Sequence, residues 1–157
     1  MRPCKELNIF SPTFTHQTKY GISAHNYFKE LQDSLDGIIS SPDQKVVIGG
    51  DFNVTFDSSL DCSGGSPAQK DSVKVLEEIC LDMDLVDIWR IRNPDKRLFT
   101  WKQTKPLIQR RLDFWLISDI CQDEVERVKI IPSIKSDHSA ITLLFNGIKE
   151  QRHGLEI

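Results

Sequence analysis

The stretch that most constrains the fold is Lys45-Val46-Val47-Ile48-Gly49-Gly50-Asp51-Phe52-Asn53. Its β-branched run, bounded by Ser41-Pro42-Asp43 before and two glycines after, predicts a short strand buried on both faces. Such a strand is a rigid mount. The glycines predict a sharp turn and a close backbone approach to a ligand, so that Asp51 and Asn53 project together from the strand end. A carboxylate beside a neutral amide suits phosphate chemistry. Asp and Asn after Gly-Gly are also common turn formers, because their side chains bond their own backbone, and the stretch alone leaves both readings open.

The flanking pattern supplies the layers. Leu7-Asn8-Ile9-Phe10 reads as a strand broken by Ser11-Pro12. Ser23 is placed to cap a helix from Ala24 to Ile39, with Tyr27, Phe28, Leu31, Leu35 and Ile38 on one face. Strand, helix, strand predicts an α/β layered domain. A second helix is expected from Ser66-Pro67 to about Asp82, carrying Val73, Leu76, Ile79 and Cys80 on its apolar face. Residues 57–66 read as an exposed loop, and Arg90 to Arg97 as a basic one. Phe99-Thr100-Trp101, Val125 to Ile131 and Ala140 to Phe145 read as strands, and Ser118 as the cap of a short helix ending at Gln122. With 157 residues, 39% of them hydrophobic, one domain with a proper core is expected. Its limits are set at 1–147, with 148–157 a frayed tail.

Charge and cysteine usage narrow the classes. Twenty basic against 23 acidic side chains give a net charge of -3, so no global positive field favours nucleic acid and binding needs a local patch. The one candidate is the basic run between 90 and 111, which includes Arg97, Arg110 and Arg111 and encloses Trp101; a solvated loop explains it as well. The four cysteines form no Cys-x-x-Cys pair, which predicts free thiols in a reducing compartment. No apolar run approaches the roughly 18 residues of a membrane span, and no signal-peptide core follows Met1. The expected location is intracellular, nucleus or cytoplasm, with no membrane partner.

Two further polar constellations follow apolar runs. Leu112, Phe114 and Leu116 alternate with Arg111, Asp113 and Trp115, which puts Asp113 in a strand among bulky groups. A carboxylate there is costly unless an arginine or a histidine bonds it. Ser136-Asp137-His138-Ser139 leads into the strand at Ala140. Of the four histidines, His138 alone is locked between an acid and a core strand.

Gly-Asp-Phe-Asn, Arg-Leu-Asp-Phe and Ser-Asp-His-Ser, in this order and with Leu85-Val86-Asp87-Ile88-Trp89 and Phe99-Thr100-Trp101 between them, resemble the endonuclease/exonuclease/phosphatase superfamily. Within it they resemble the apurinic-type endonuclease of non-LTR (LINE-like) retrotransposons. The resemblance runs from about Leu7 to Phe145. It implies that Asp51 is the general base that activates water and that Asn53 donates to the scissile phosphate. Asp113 would hold the His138 imidazole against the same phosphate, and Asp137 would bind Mg²⁺ (or Mn²⁺). A hard cation on carboxylates and a positioned imidazole both meet negative charge as it grows. The implied substrate is double-stranded DNA, and in the family the domain is fused to a reverse transcriptase.

The same resemblance implies an α/β fold of two similar halves in a four-layer sandwich. This chain matches the carboxy-terminal half, a mixed, largely antiparallel sheet with flanking helices, with the amino-terminal half missing. The first half's metal-binding glutamate has no counterpart here, and Phe10 and Thr13 replace a tyrosine and an asparagine usual in the branch. The expectation is therefore a Mg²⁺-dependent, DNA-nicking phosphodiesterase whose catalysis in this chain is weak or absent. A phosphomonoesterase or phospholipase-type member of the superfamily shares the same reaction centre. A non-catalytic remnant or DNA-binding module is the alternative from outside the enzymes.

Overall fold

A computed structural model describes residues 7–10, 24–39, 44–66, 70–146 and 151–152. The expected Ser23 cap, the first-turn Pro67, Thr13 and three of the cysteine and histidine positions (Cys4, His16, His153) lie outside them. Strand β2 (Lys45–Asp51) is the hub of a five-stranded sheet. Strand β1 (Leu7–Phe10) runs parallel to β2 on one side, and β7 (Asp113–Ser118) runs antiparallel to it on the other. Strand β4 (Leu85–Asp87) closes the sheet beyond β7. Gln151–Arg152, within the stretch anticipated as a frayed tail, form β10 and pair in parallel with β1.

The β-branched run fixes the centre of this sheet. Val46, Val47 and Ile48 are all buried, as a strand covered on both faces requires. Val46 and Ile48 face helix α1 (Ala24–Ile38), whose Tyr27, Phe28, Leu31 and Leu35 are buried against them at helical spacing. Helix α2 (Lys70–Asp82) adds Val75, Leu76 and Ile79 to the same core, with Phe52, Phe114 and Leu116. Val47 and Ile117 face the other way. There they meet Val125 of β8 (Val125–Ile131), with Leu143 and Phe145 of its hairpin partner β9 (Ala140–Phe145) packed around the cluster. Ile9, Val86 and Trp115 on that face are only half-buried.

Four local expectations are corrected. The two glycines do not make a turn: both remain in β2. Gly49 instead makes room for the Trp115 ring opposite it, since an added Cβ would lie 2.1 Å from that ring. The change of direction comes at Asn53, which holds φ 54°. Residues 57–66 are not simply an exposed loop, because Asp61 is fully buried and β3 (Cys62–Ser63) pairs with β6 (Leu107–Arg110). The basic stretch from Arg90 begins inside a short helix α3 (Ile88–Arg92), capped by the Asp87 carboxylate, which accepts from the Arg90 amide at 3.1 Å. Ser118 does not cap the 3₁₀ helix over Asp119–Glu124; its hydroxyl accepts from the Val46 amide at 2.8 Å and locks β7 to β2.

Candidate functional site

Asp51 ends β2 and Asp113 begins β7, and the antiparallel register sets the two directly opposite each other at one end of the sheet. The third residue arrives on a loop. Strand β5 (Trp101–Thr104) binds that loop through backbone bonds: Lys102 N–H to the Asp137 carbonyl at 3.0 Å and Ser139 N–H to the Thr100 carbonyl at 2.6 Å. His138 thereby bridges to Trp101 and points its ring at the two carboxylates.

His138 Nδ1 lies 3.1 Å from Asp113 Oδ2, and His138 Nε2 lies 3.8 Å from Asp51 Oδ2. With Nδ1–H donated to Asp113, the imidazole is held in one tautomer with Nε2 turned to the open side. The arginine partner weighed for Asp113 goes elsewhere, and histidine resolves the cost of its burial. Asp51 Oδ1 accepts the Asn53 amide at 2.9 Å, so Asp51 is also the turn former that the sequence allowed. Burial pushes the Asp51 carboxyl above its ordinary value; the Asn53 amide opposes this, Asp113 adds to it and His138 opposes it again.

Ligand atoms of Asp51, Asp113 and His138 all lie within 4.8 Å of one another. Two hard carboxylate oxygens at that spacing fit a Mg²⁺-type cation, which takes one or two carboxylates and keeps waters for the rest. Asp137, assigned to the metal by resemblance, lies outside this group. It is fully exposed, and its carboxylate accepts from the Trp101 indole at 3.3 Å and the Ser136 hydroxyl at 3.4 Å. Asn53 is exposed beside Asp51, with its side chain free to meet a ligand.

The basic run divides. Arg110 and Arg111, taken as DNA-facing, are buried, at 7% and 1% exposure. Arg110 spends its guanidinium on the carbonyls of Gly64 and Ser66, at 2.7 and 2.8 Å. Arg111 Nε and Nη2 bond Asp61 at 2.6 and 3.0 Å. Neither can reach a phosphate backbone without unpacking the core. Arg97 remains exposed, lying over Phe99 and donating to the Cys62 carbonyl at 2.8 Å, and Lys102 and Lys105 are exposed too. Trp101 is half-buried. It borders a cavity of about 210 Å³ with Phe99, Lys102, Ser133 and Asp137.

One site residue escaped the sequence reading. Thr100 is fully buried, and its hydroxyl oxygen accepts from both the Leu112 and Asp113 amides, at 2.9 and 3.0 Å. With its carbonyl on Ser139, it fixes both halves of the Asp113–His138 pair. A threonine between two aromatics at a strand head is the only hint in the sequence.

No family model matches the chain. Its fold matches, with 18% identity and a TM-score of 0.63, an AP endonuclease from Archaeoglobus fulgidus, over 86% of this chain and 56% of that one. It matches the 3′ phosphatase NExo from Neisseria, solved with a product DNA hairpin, at 21% identity and TM-score 0.64, over 83% of this chain and 55% of that one. An AP endonuclease from Leishmania major is similar too, at 17% identity and TM-score 0.63, over 84% and 46%. The chain therefore carries an AP-endonuclease-like fold, and spans about half the length of these proteins. By sequence it is 30% identical over 140 residues to an uncharacterized 149 kDa protein of transposon TX1 from Xenopus laevis, covering 87% of this chain and 10% of that protein. A retrotransposon endonuclease domain, the resemblance carried by the three motifs, is met here by a transposon protein.

Proposed function

We propose that the strand-end site hydrolyses phosphodiester bonds in double-stranded DNA with the help of a divalent cation, Mg²⁺ or Mn²⁺, as the nicking endonuclease segment of a retrotransposon protein. The observation that carries this reading is the convergence of Asp51, Asp113 and His138 from three separate parts of the chain onto one point. A cation held on Asp51, with Asp113 or Asp137 near it, would neutralise charge on a phosphate oxygen.

The chain's own residues supply the rest. Asp51 is placed to orient a water and take its proton, through the oxygen that the cation leaves open. Asn53 donates its amide to a non-bridging phosphate oxygen. His138 would meet developing negative charge as an imidazolium, donating Nε2–H, while Asp113 orients the ring through Nδ1–H. Arg97, Lys102 and Lys105 face the DNA backbone beside the site. The resemblance adds a reverse transcriptase on the same polypeptide, and the cysteine usage favours action inside the cell, in nucleus or cytoplasm.

The likeness to a 3′ phosphatase favours a second reading, removal of a terminal phosphate from DNA. Both are tested with one protein. Slow, Mg²⁺-dependent nicking of supercoiled plasmid, abolished in Asp51→Ala, supports the endonuclease. Release of phosphate from a 3′-phosphorylated oligonucleotide with intact plasmid supports the phosphatase. Neither activity above the Asp51→Ala background overturns both.

A further inference from the structure

Asp61, buried to 0% exposure in a stretch that the sequence presents as polar loop, is bound on every side. Its Oδ1 accepts from Arg111 Nε at 2.6 Å and Arg90 Nη2 at 2.5 Å, and its Oδ2 from Arg111 Nη2 at 3.0 Å. Its carbonyl also accepts the Arg111 amide at 2.9 Å. Arg111 Nη1 lies 2.7 Å from Asp87 Oδ2, in a geometry too bent for a hydrogen bond, so this is an ion contact only. Burial alone would lower the Arg111 guanidinium, but its hydrogen bonds to Asp61 and the negative charges of Asp61 and Asp87 leave it above its ordinary value. Buried ion pairs are weak sources of net stability, since well-packed apolar groups often do as well. What such a pair does supply is geometry.

The geometry needed lies two residues further on. Arg111 stacks on the Phe114 ring at 4.5 Å and so belongs to the helix side of the sheet. Asp113 turns to the other side, to His138. In a straight strand, residues two apart share a face, so the chain must kink at 111–112, between β6 and β7. Beyond it the β2 pairing resumes, with the Leu112 carbonyl accepting the Phe52 amide at 2.9 Å, but residue 111 itself lies outside that ladder. Residue 111 is instead held through backbone and side chain on the single residue Asp61, and the next two amides go to Thr100.

We propose that the Asp61–Arg111 ion pair is a positioning device for the site: it fixes the kink before β7 so that Asp113 leaves it aimed at His138, and it anchors the segment that follows Asn53. Arg111 is a positioning residue and touches no substrate. The activity arm of the test rests on the endonuclease reading; the spectroscopic arm does not.

The test uses Arg111→Lys, which keeps the charge but loses the two-pronged grip, and Asp61→Asn, which keeps the size. Ile79→Val, a core change remote from the kink, is the control for lost stability. The readouts are the downfield proton resonance of the His138 Nδ1–H bonded to Asp113, and kcat against KM for plasmid nicking. Expected is loss of that resonance in both ion-pair variants and its retention in Ile79→Val at equal loss of melting temperature. The expected fall in kcat is about 10²-fold with KM unchanged, the scale of a 1 Å misplacement. An unaltered His138 resonance in folded Arg111→Lys overturns the proposal, as does an effect on KM alone. If neither ion-pair variant folds, Asp87→Asn, which loosens Arg111 from one side, must shift the resonance, or the proposal falls. Failure of the wild type to nick defeats the endonuclease reading and leaves the resonance to decide this one.

Discussion

Two polar clusters meet on either side of Leu112, and they are built in opposite ways. The one around Arg111 is closed: Asp61 and Asp87 face Arg90 and Arg111 in equal numbers, and its central pair is almost wholly buried. The one around Asp113 is open: two carboxylates share one imidazole, and their side chains are 12–34% exposed. The first balances its charges within itself. The second has an excess of negative charge, an oxygen on Asp51 with no close donor, and a path to solvent. That difference separates a part that holds the fold from a part that can act on a ligand.

The comparison breaks first on activity. Asp113→Ala removes no charge balance from the fold but frees the imidazole, and nicking should fall by about 10²- to 10⁴-fold while the melt stays cooperative. Asp61→Ala should do the reverse, costing about 3–5 kcal/mol of stability in a denaturant titration, because it leaves a buried guanidinium uncompensated. If the two swap effects, the assignment of closed and open clusters is wrong.

Two smaller effects sharpen it. Arg97→Ala should leave the melting temperature nearly unchanged and lower the slope of log DNA affinity against log salt by about 1; a slope equal to wild type removes Arg97 from the DNA face. Asp51→Asn should raise stability slightly at neutral pH when divalent metal is absent. Its carboxyl is pushed up in the fold, so the folded chain holds that proton more tightly than the unfolded one. The wild type therefore loses stability as pH rises through the window between the ordinary aspartate value and the raised one. The gain from asparagine is present above that window and vanishes below about pH 4. A gain that grows as pH falls would reverse the sign and refute the desolvated carboxylate.

The open cluster was legible because its residues sit on strand ends, where short motifs encode both the mount and the functional group. Asp51, Asn53, Asp113 and His138 each follow or precede an apolar run, and the runs form the sheet that brings them together. The closed cluster was not legible. Asp61 lies among Ser, Gly and Asp, a composition that reads as solvated, and its partner is 50 residues away. Arg110 and Arg111 counted as a basic patch for the same reason: sequence registers charge, and only packing shows that a guanidinium is turned inward. The glycine pair misled in another way, since the space it leaves is taken by an indole from the neighbouring strand.

The most direct test of the account uses Mn²⁺ as a paramagnetic probe in side-chain and backbone NMR of the wild-type chain. Substoichiometric Mn²⁺ should first broaden the resonances of Asp51, Asp113 and His138, and Mg²⁺ in excess should restore them. Broadening confined to exposed acids such as Asp71 and Asp95, with the three site residues untouched, would contradict it.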